Sequence, residues 1–171
     1  MGDRANVVFK EIRYDKQVVS PVVYFHWQGS DVLRLLNKTK IQMEDRTYAD
    51  DVCARFIQRA SNELTDLIYS IAVNNSDDLL TNPYPWATED NGVYIVDMPD
   101  WKIRHIINMY NDDTGKHDRY KFTDYEYVGF ITGWKVCNEF IQTEDEVKQL
   151  QGLAQEINEL DNEQSNRNLC L

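Results

Sequence analysis

Two short runs rich in β-branched and aromatic residues flank a polar stretch near the start of this chain. They are Asn6-Val7-Val8-Phe9-Lys10-Glu11-Ile12 and Pro21-Val22-Val23-Tyr24-Phe25-His26-Trp27. Such side chains fit a pleated, half-buried surface. Tyr14-Asp15-Lys16-Gln17 supplies a turn between them, so the pattern predicts an antiparallel hairpin. Pro21 stands at the first position of the returning strand, where a missing N–H does least harm. With the turn centred near Lys16, Asn6 falls opposite His26 and Arg4 opposite Gln28. A one-residue slip would exchange the two faces.

Helical signals follow. Gly29-Ser30-Asp31 opens a helix from Val32 to about Lys38, with Ser30 or Asp31 as its N-cap. Thr47-x-x-Asp50 has the form of a capping box and begins a longer helix to about Leu67. There Val52, Cys53, Phe56, Ile57, Ala60, Leu64 and Leu67 recur at helical spacing. A strand is expected over 69–73, and residues 74–91 read as loop, with Pro83-Tyr84-Pro85-Trp86 as a rigid aromatic turn. Gly92 to Asp97 reads as a strand, and Met98-Pro99-Asp100 as a turn. Trp101 to Tyr110 alternates, with Trp101, Ile103, His105, Ile107 and Met109 on one face. Arg119 to Phe122 pairs back across the polar loop 111–118. Beyond it two readings stand: Thr123-x-x-Glu126 caps a short helix, or Gly129 and Gly133 bend two strands.

Thr143 to about Glu163 reads as a helix opening with acids that suit its positive end. Val147, Leu150, Ala154 and Ile157 form a narrow stripe, with Leu153 and Leu160 beside it. The stripe packs on the body or pairs with a second copy. The whole is α+β: a mostly antiparallel sheet, two helices on one face and a C-terminal amphipathic helix. The expected division is a domain over 1–142, the helix over 143–164 and a mobile tail over 165–171.

The formal charge is -11, and it is uneven. Residues 1–50 hold eight bases and seven acids, whereas the rest hold ten bases and 22 acids. A surface of that sign repels nucleic-acid backbones and anionic membranes, because a binder must replace phosphate counterions with Lys and Arg. It serves solubility, or it meets a basic partner. Apolar runs are too short to span a bilayer, and the first residues lack the pattern of a secretory leader. Cys53, Cys137 and Cys170 are odd in number and widely spaced, which argues against a disulfide framework or a zinc site and for a reducing cytoplasm. Cys53 is expected in the core.

The opening Met-Gly-Asp-Arg-Ala-Asn, the His26-Trp27-x-Gly29 that ends the second run, and Asp90-Asn91 before Val93-Tyr94-Ile95-Val96-Asp97 resemble a family of small uncharacterised proteins of bacteriophages and phage-derived bacterial segments. The resemblance covers the first thirty or so residues, the second helix loosely and the strand near residue 95. It implies an origin in phage biology and a bacterial cytoplasmic setting. It transfers no catalytic residue.

Three candidate sites emerge. Arg4, Asn6, His26 and Trp27 would converge near the helix that follows Gly29, where backbone N–H groups favour a phosphate or carboxylate. Alternatively they form a structural corner whose polar groups satisfy one another. Asp77, Asp78, Glu89 and Asp90 with Tyr84 and Trp86 would present acid and aromatic anchors to a basic protein, unless the rings fold the loop onto its own domain. Asp112, Asp113, Asp118 and His117 lack the spacing of a calcium loop and read as a solvated hairpin tip. No Gly-x-Ser-x-Gly elbow or Cys–His frame suggests nucleophilic catalysis, and no cofactor or metal is implied. The first expectation is a non-enzymatic protein that binds and blocks a basic host protein, a nucleic-acid-handling component of host defence. The alternative is a small-ligand protein, for a phosphorylated metabolite or nucleotide, built on the N-terminal cluster.

Overall fold

The computed structural model describes residues 2–43, 47–64, 71–76, 78–153, 156 and 159. An eight-stranded sheet runs through it, made of β1 (Ala5–Arg13), β2 (Lys16–Val19), β3 (Val22–Phe25), β4 (Ile71–Asn74), β5 (Val93–Asp97), β6 (Lys102–Asn111), β7 (Lys116–Gly129) and β8 (Gly133–Thr143). The order is β4-β3-β1-β5-β6-β7-β8, with β2 pairing β1 beside this path. Among the described residues only β1 and β5 run parallel; the other pairs are antiparallel. Helices α1 (Val32–Met43) and α2 (Ala49–Glu63) and a C-terminal helix α3 over 144–153 complete an α+β fold.

The predicted hairpin forms, but its register differs. Tyr14 and Asp15 both have positive φ (53° and 59°), so the two-residue turn of mirror-image type sets Arg13 against Lys16. The returning run then breaks at Ser20-Pro21. The Ser20 N–H donates to Phe9 O (2.8 Å), and Ser20 Oγ accepts from Phe9 N–H (3.0 Å). The predicted returning run is thus β3 alone, and β2 begins within the stretch expected as turn. Asn6 lies opposite Tyr24 rather than His26, a two-residue slip that preserves the faces.

Strand alternation gives the sheet two apolar faces. On the first, Ala5, Val7, Phe9, Val23, Phe25, Tyr94 and Val96 meet Leu35 and Leu36 of α1 and Val52, Cys53, Phe56 and Ala60 of α2. Phe56 takes Phe9 and Phe25 edge-on, at centroid distances of 5.5 and 5.7 Å. The stripe expected of α2 is therefore the core stripe, Cys53 included; Leu67 lies outside the described residues. On the second face, Val8, Val22, Val93, Ile95, Ile106, Tyr120 and Phe122 meet Leu79 and Ala87 of the 78–90 segment and Val147 of α3.

Several boundaries are corrected. Helix α1 continues to Met43, and its entry is a 3-10 turn, Gly29–Asp31. Neither Ser30 nor Asp31 caps it with a side chain; instead Asp3 receives Ser30 N–H (3.0 Å) and Ser30 Oγ–H (2.7 Å). Helix α2 starts after Tyr48 with no side-chain cap, so Thr47-x-x-Asp50 is no capping box. A true one opens α3: Thr143 N–H donates to Glu146 Oε2 (2.7 Å), and Glu146 N–H donates to Thr143 Oγ1 (3.3 Å). Residues 123–142 resolve the open alternative as strands. β7 and β8 form a long hairpin in which Gly129 faces Gly133, both with positive φ. Between Asp124↔Asn138 and Tyr125↔Val136 the register shifts, leaving Cys137 as an extra residue. The tail expected over 165–171, and Ala154, Ile157 and Leu160 of the α3 stripe, lie outside the described residues.

Candidate functional site

The first two candidate clusters meet, because parallel pairing of β1 with β5 carries the N-terminus to the segment before β5. Arg4 Nη1 contacts Glu89 Oε2 (3.0 Å), and its Nε donates to Asp90 Oδ2 (2.9 Å). Asn91 N–H donates to Arg4 O (2.7 Å), and Asn91 Nδ2 donates to Asp3. Hydrogen bonding to Arg4 holds the Asp90 carboxyl below its ordinary range. Asn6, fully enclosed, donates to Trp86 O (3.0 Å). His105 supports the same turn from below: it stacks on Tyr94 at 4.1 Å and hydrogen-bonds Asn91 O at 2.7 Å. Burial lowers its pKa, against the opposing pull of that bond, so the neutral ring donates from Nε2.

His26 and Trp27 do not join Asn6. Both are exposed, and His26 Nδ1 lies 3.2 Å from Tyr24 Oη. Arg4 is engaged by two carboxylates, so among the described residues the corner presents no free cation to an anion. In the other cluster, Asp78 is exposed and its carbonyl ends the turn by accepting from Asn82 N–H. Trp86 packs half-buried on the second core, and Asp77 lies outside the described residues. Glu89 and Asp90 are spent on Arg4. The loop aromatics Tyr84 and Trp86 thus fold onto their own domain.

Tyr84 meets Tyr120 and Phe122 edge-on (4.9 and 6.4 Å) and also lines a groove of about 990 Å³ on the second face. The groove arises because the 78–90 segment and α3 cover that face only in part. Its apolar end is Leu80, Tyr84, Ile106 and Phe122, with Leu150 of α3 on one wall. Gln151 Nε2 donates to Asn82 Oδ1 (2.9 Å), clasping α3 to the loop. Toward the other end the floor is charged. Lys10 pairs with Asp97 (2.9 Å), and Arg104 grips Asp124 with two bonds (2.8 and 3.1 Å). That grip holds the Asp124 carboxyl below its ordinary range. Lys102 and Glu126 also line the groove and make no ion pair among the described residues. Cys137, the extra residue of β8, opens onto it as well.

Chemically the groove offers an apolar seat beside charges of both signs, with two of its cations already matched by carboxylates. That suits a mixed, peptide-like occupant better than a phosphate. Sequence reading identified only Tyr84 among these residues. The sequence signal for the rest is the second face of the alternation in 102–106 and 120–126.

The polar tip over 111–118 is tied internally. Asn111 Nδ2 and Thr114 Oγ1 both donate to Asp118 (2.8 and 2.6 Å), and Arg119 pairs with Asp113 (3.1 Å). Among the described residues no group of three or more His, Cys, Asp or Glu is placed to hold a metal ion, and no helix is long and apolar enough to cross a membrane. Comparison with protein-family models, curated proteins and solved structures returned no match.

Proposed function

We propose that this chain is an interaction protein of bacteriophage origin that works in the bacterial cytoplasm, where it binds and blocks a basic, nucleic-acid-handling host protein. The observation that carries the reading is the second-face groove, an apolar seat left open on a molecule of formal charge -11. Apolar seats rimmed by polar groups mark interaction sites on soluble proteins, and an acidic body speeds encounter with a basic partner. The contact surface shifts from the loop acids toward the groove, with Tyr84 and the exposed Asp78 kept and Glu89 and Asp90 released to Arg4. Against the small-ligand alternative stands the engagement of Arg4, its one guanidinium, by those two carboxylates.

The test is capture from bacterial host lysate on immobilised protein, followed by salt elution. The expected result is a basic protein retained at low salt and released steeply as ionic strength rises. Retention indifferent to salt removes the charge argument. A small molecule in the eluate, in place of a protein, turns the reading to the alternative.

A further inference from the structure

Across its strands the groove floor alternates in sign. Lys10 on β1 stands opposite Asp97 on β5, and Asp97 stands opposite Lys102 on β6. On β7, Glu126 comes one position after Tyr125, the partner of Ile103, which sets it next to Lys102. The row is therefore positive, negative, positive, negative over four adjacent strands, and all four side chains line the groove. Along the strands the character changes. Arg104 and Asp124 form the next same-face pair, and beyond them Ile106 stands opposite Phe122, where Leu80 and Tyr84 also line the groove. One margin is charged and the other apolar.

An occupant matches the charged row only by carrying the opposite signs in the same rhythm. Strands about 4.8 Å apart put the three sign changes into about 14 Å. A helix laid across the strands presents one residue per turn of about 5.4 Å, so three turns cover about 16 Å. The difference is within reach of flexible Lys and Glu side chains. An extended segment shows same-side residues about 6.7 Å apart, and three such steps cover about 20 Å, out of step by more than a strand. A polycation would meet Lys10 and Lys102, and a polyanion would meet Asp97 and Glu126; like charges so placed disfavour both.

We propose that the second-face groove takes an amphipathic α-helix of the partner, lying across the strands. Its apolar stripe faces the Tyr84–Phe122 side, and residues of alternating charge, one per turn, stand over the Lys10–Asp97–Lys102–Glu126 row. This is the helix-in-groove mode of recognition, and it rests on the reading of the chain as an interaction protein, naming the segment of the partner that enters. The partner's basic excess then lies outside this helix and meets the acidic body.

Two synthetic helical peptides of about 15 residues provide the test. Both carry a Leu stripe and have one composition; one bears Glu, Lys, Glu, Lys at successive turns, the other Glu, Lys, Lys, Glu. Binding to the full-length protein is read by fluorescence anisotropy at low salt. The protein should prefer the alternating peptide by about tenfold, because two contacts change from attraction to repulsion in the other. In Lys102→Glu/Glu126→Lys protein the preference should reverse by a similar factor. Both positions are exposed, and the exchange leaves the net charge unchanged. The bound peptide should also gain helical circular dichroism. Equal affinity for the two peptides, binding of neither, a preference that does not reverse, or binding without gain of helix overturns the proposal. The peptides need no host protein and the lysate capture needs no peptide, so either reading can fail alone.

Discussion

The two faces of the sheet are built from the same strands by the same alternation, yet they are finished differently. On the first, two regular helices seal Phe9, Phe25 and Phe56 from water. On the second, a 3-10 segment and the start of α3 cover Val8, Val93 and Tyr120 but leave the groove open. Strand patterning makes both faces apolar; what decides closure is whether the covering segment is long enough to span the strands. The sealed face holds the molecule together, and the half-sealed one has room for something else.

Phe56→Ala tests the sealed face most severely. It empties the contact between α2 and two strands and should cost about 3–5 kcal/mol in urea unfolding, with loss of protection across the whole sheet. Leu79→Ala removes an equally enclosed side chain on the second face and should cost about 2–3 kcal/mol. Here hydrogen exchange should show opening confined to 78–90; a global loss would mean that the faces are not separable. Gly29→Ala probes how tightly α1 enters, because its Cβ would stand 2.7 Å from Ala5 Cβ and 2.8 Å from the Arg4 carbonyl carbon. A cost of about 1–3 kcal/mol is expected from such crowding, measured by thermal unfolding.

Two smaller effects sharpen the contrast. Thr143→Ala removes the cap of α3 and should cost about 1 kcal/mol, read as faster exchange in 144–153 with the first face unchanged. On the first face, burial pushes the Glu63 carboxyl up, but Lys38 and Arg34 outweigh it and hold it at about 2. A folded-state value below the unfolded one, about 4.3, means stability that is present above that pH and lost as pH falls through about 2. Glu63→Gln should therefore be less stable at neutral pH by up to about 1 kcal/mol and should unfold with a flatter acid dependence. An identical acid limb in both proteins would refute the coupling.

Much of the fold is legible in single segments. The α2 stripe, the β5 run and the start of α3 each carry a local period, and each forms where expected. The register of the first hairpin is not legible, because it depends on left-handed Tyr14 and Asp15 and on a serine that stands in for strand backbone at Ser20. Tyrosine is no ordinary signal for such a turn. The pairing of Arg4 with Asp90 spans 86 positions and follows from parallel β1–β5 pairing, which no local pattern announces. The groove is harder still: its floor is drawn from strands far apart in sequence, and its wall comes from α3.

One outer edge of the sheet is β8, eleven residues with one side free of strand partners among the described residues. Long open edges recruit neighbouring molecules into fibrous aggregates. The surplus residue at Cys137 throws the strand out of step midway, and Lys135 and Glu139 place charge on either side of that break. A would-be templating strand finds no uninterrupted row of donors and acceptors to copy, so crowding at high expression should leave this chain dispersed rather than amyloid.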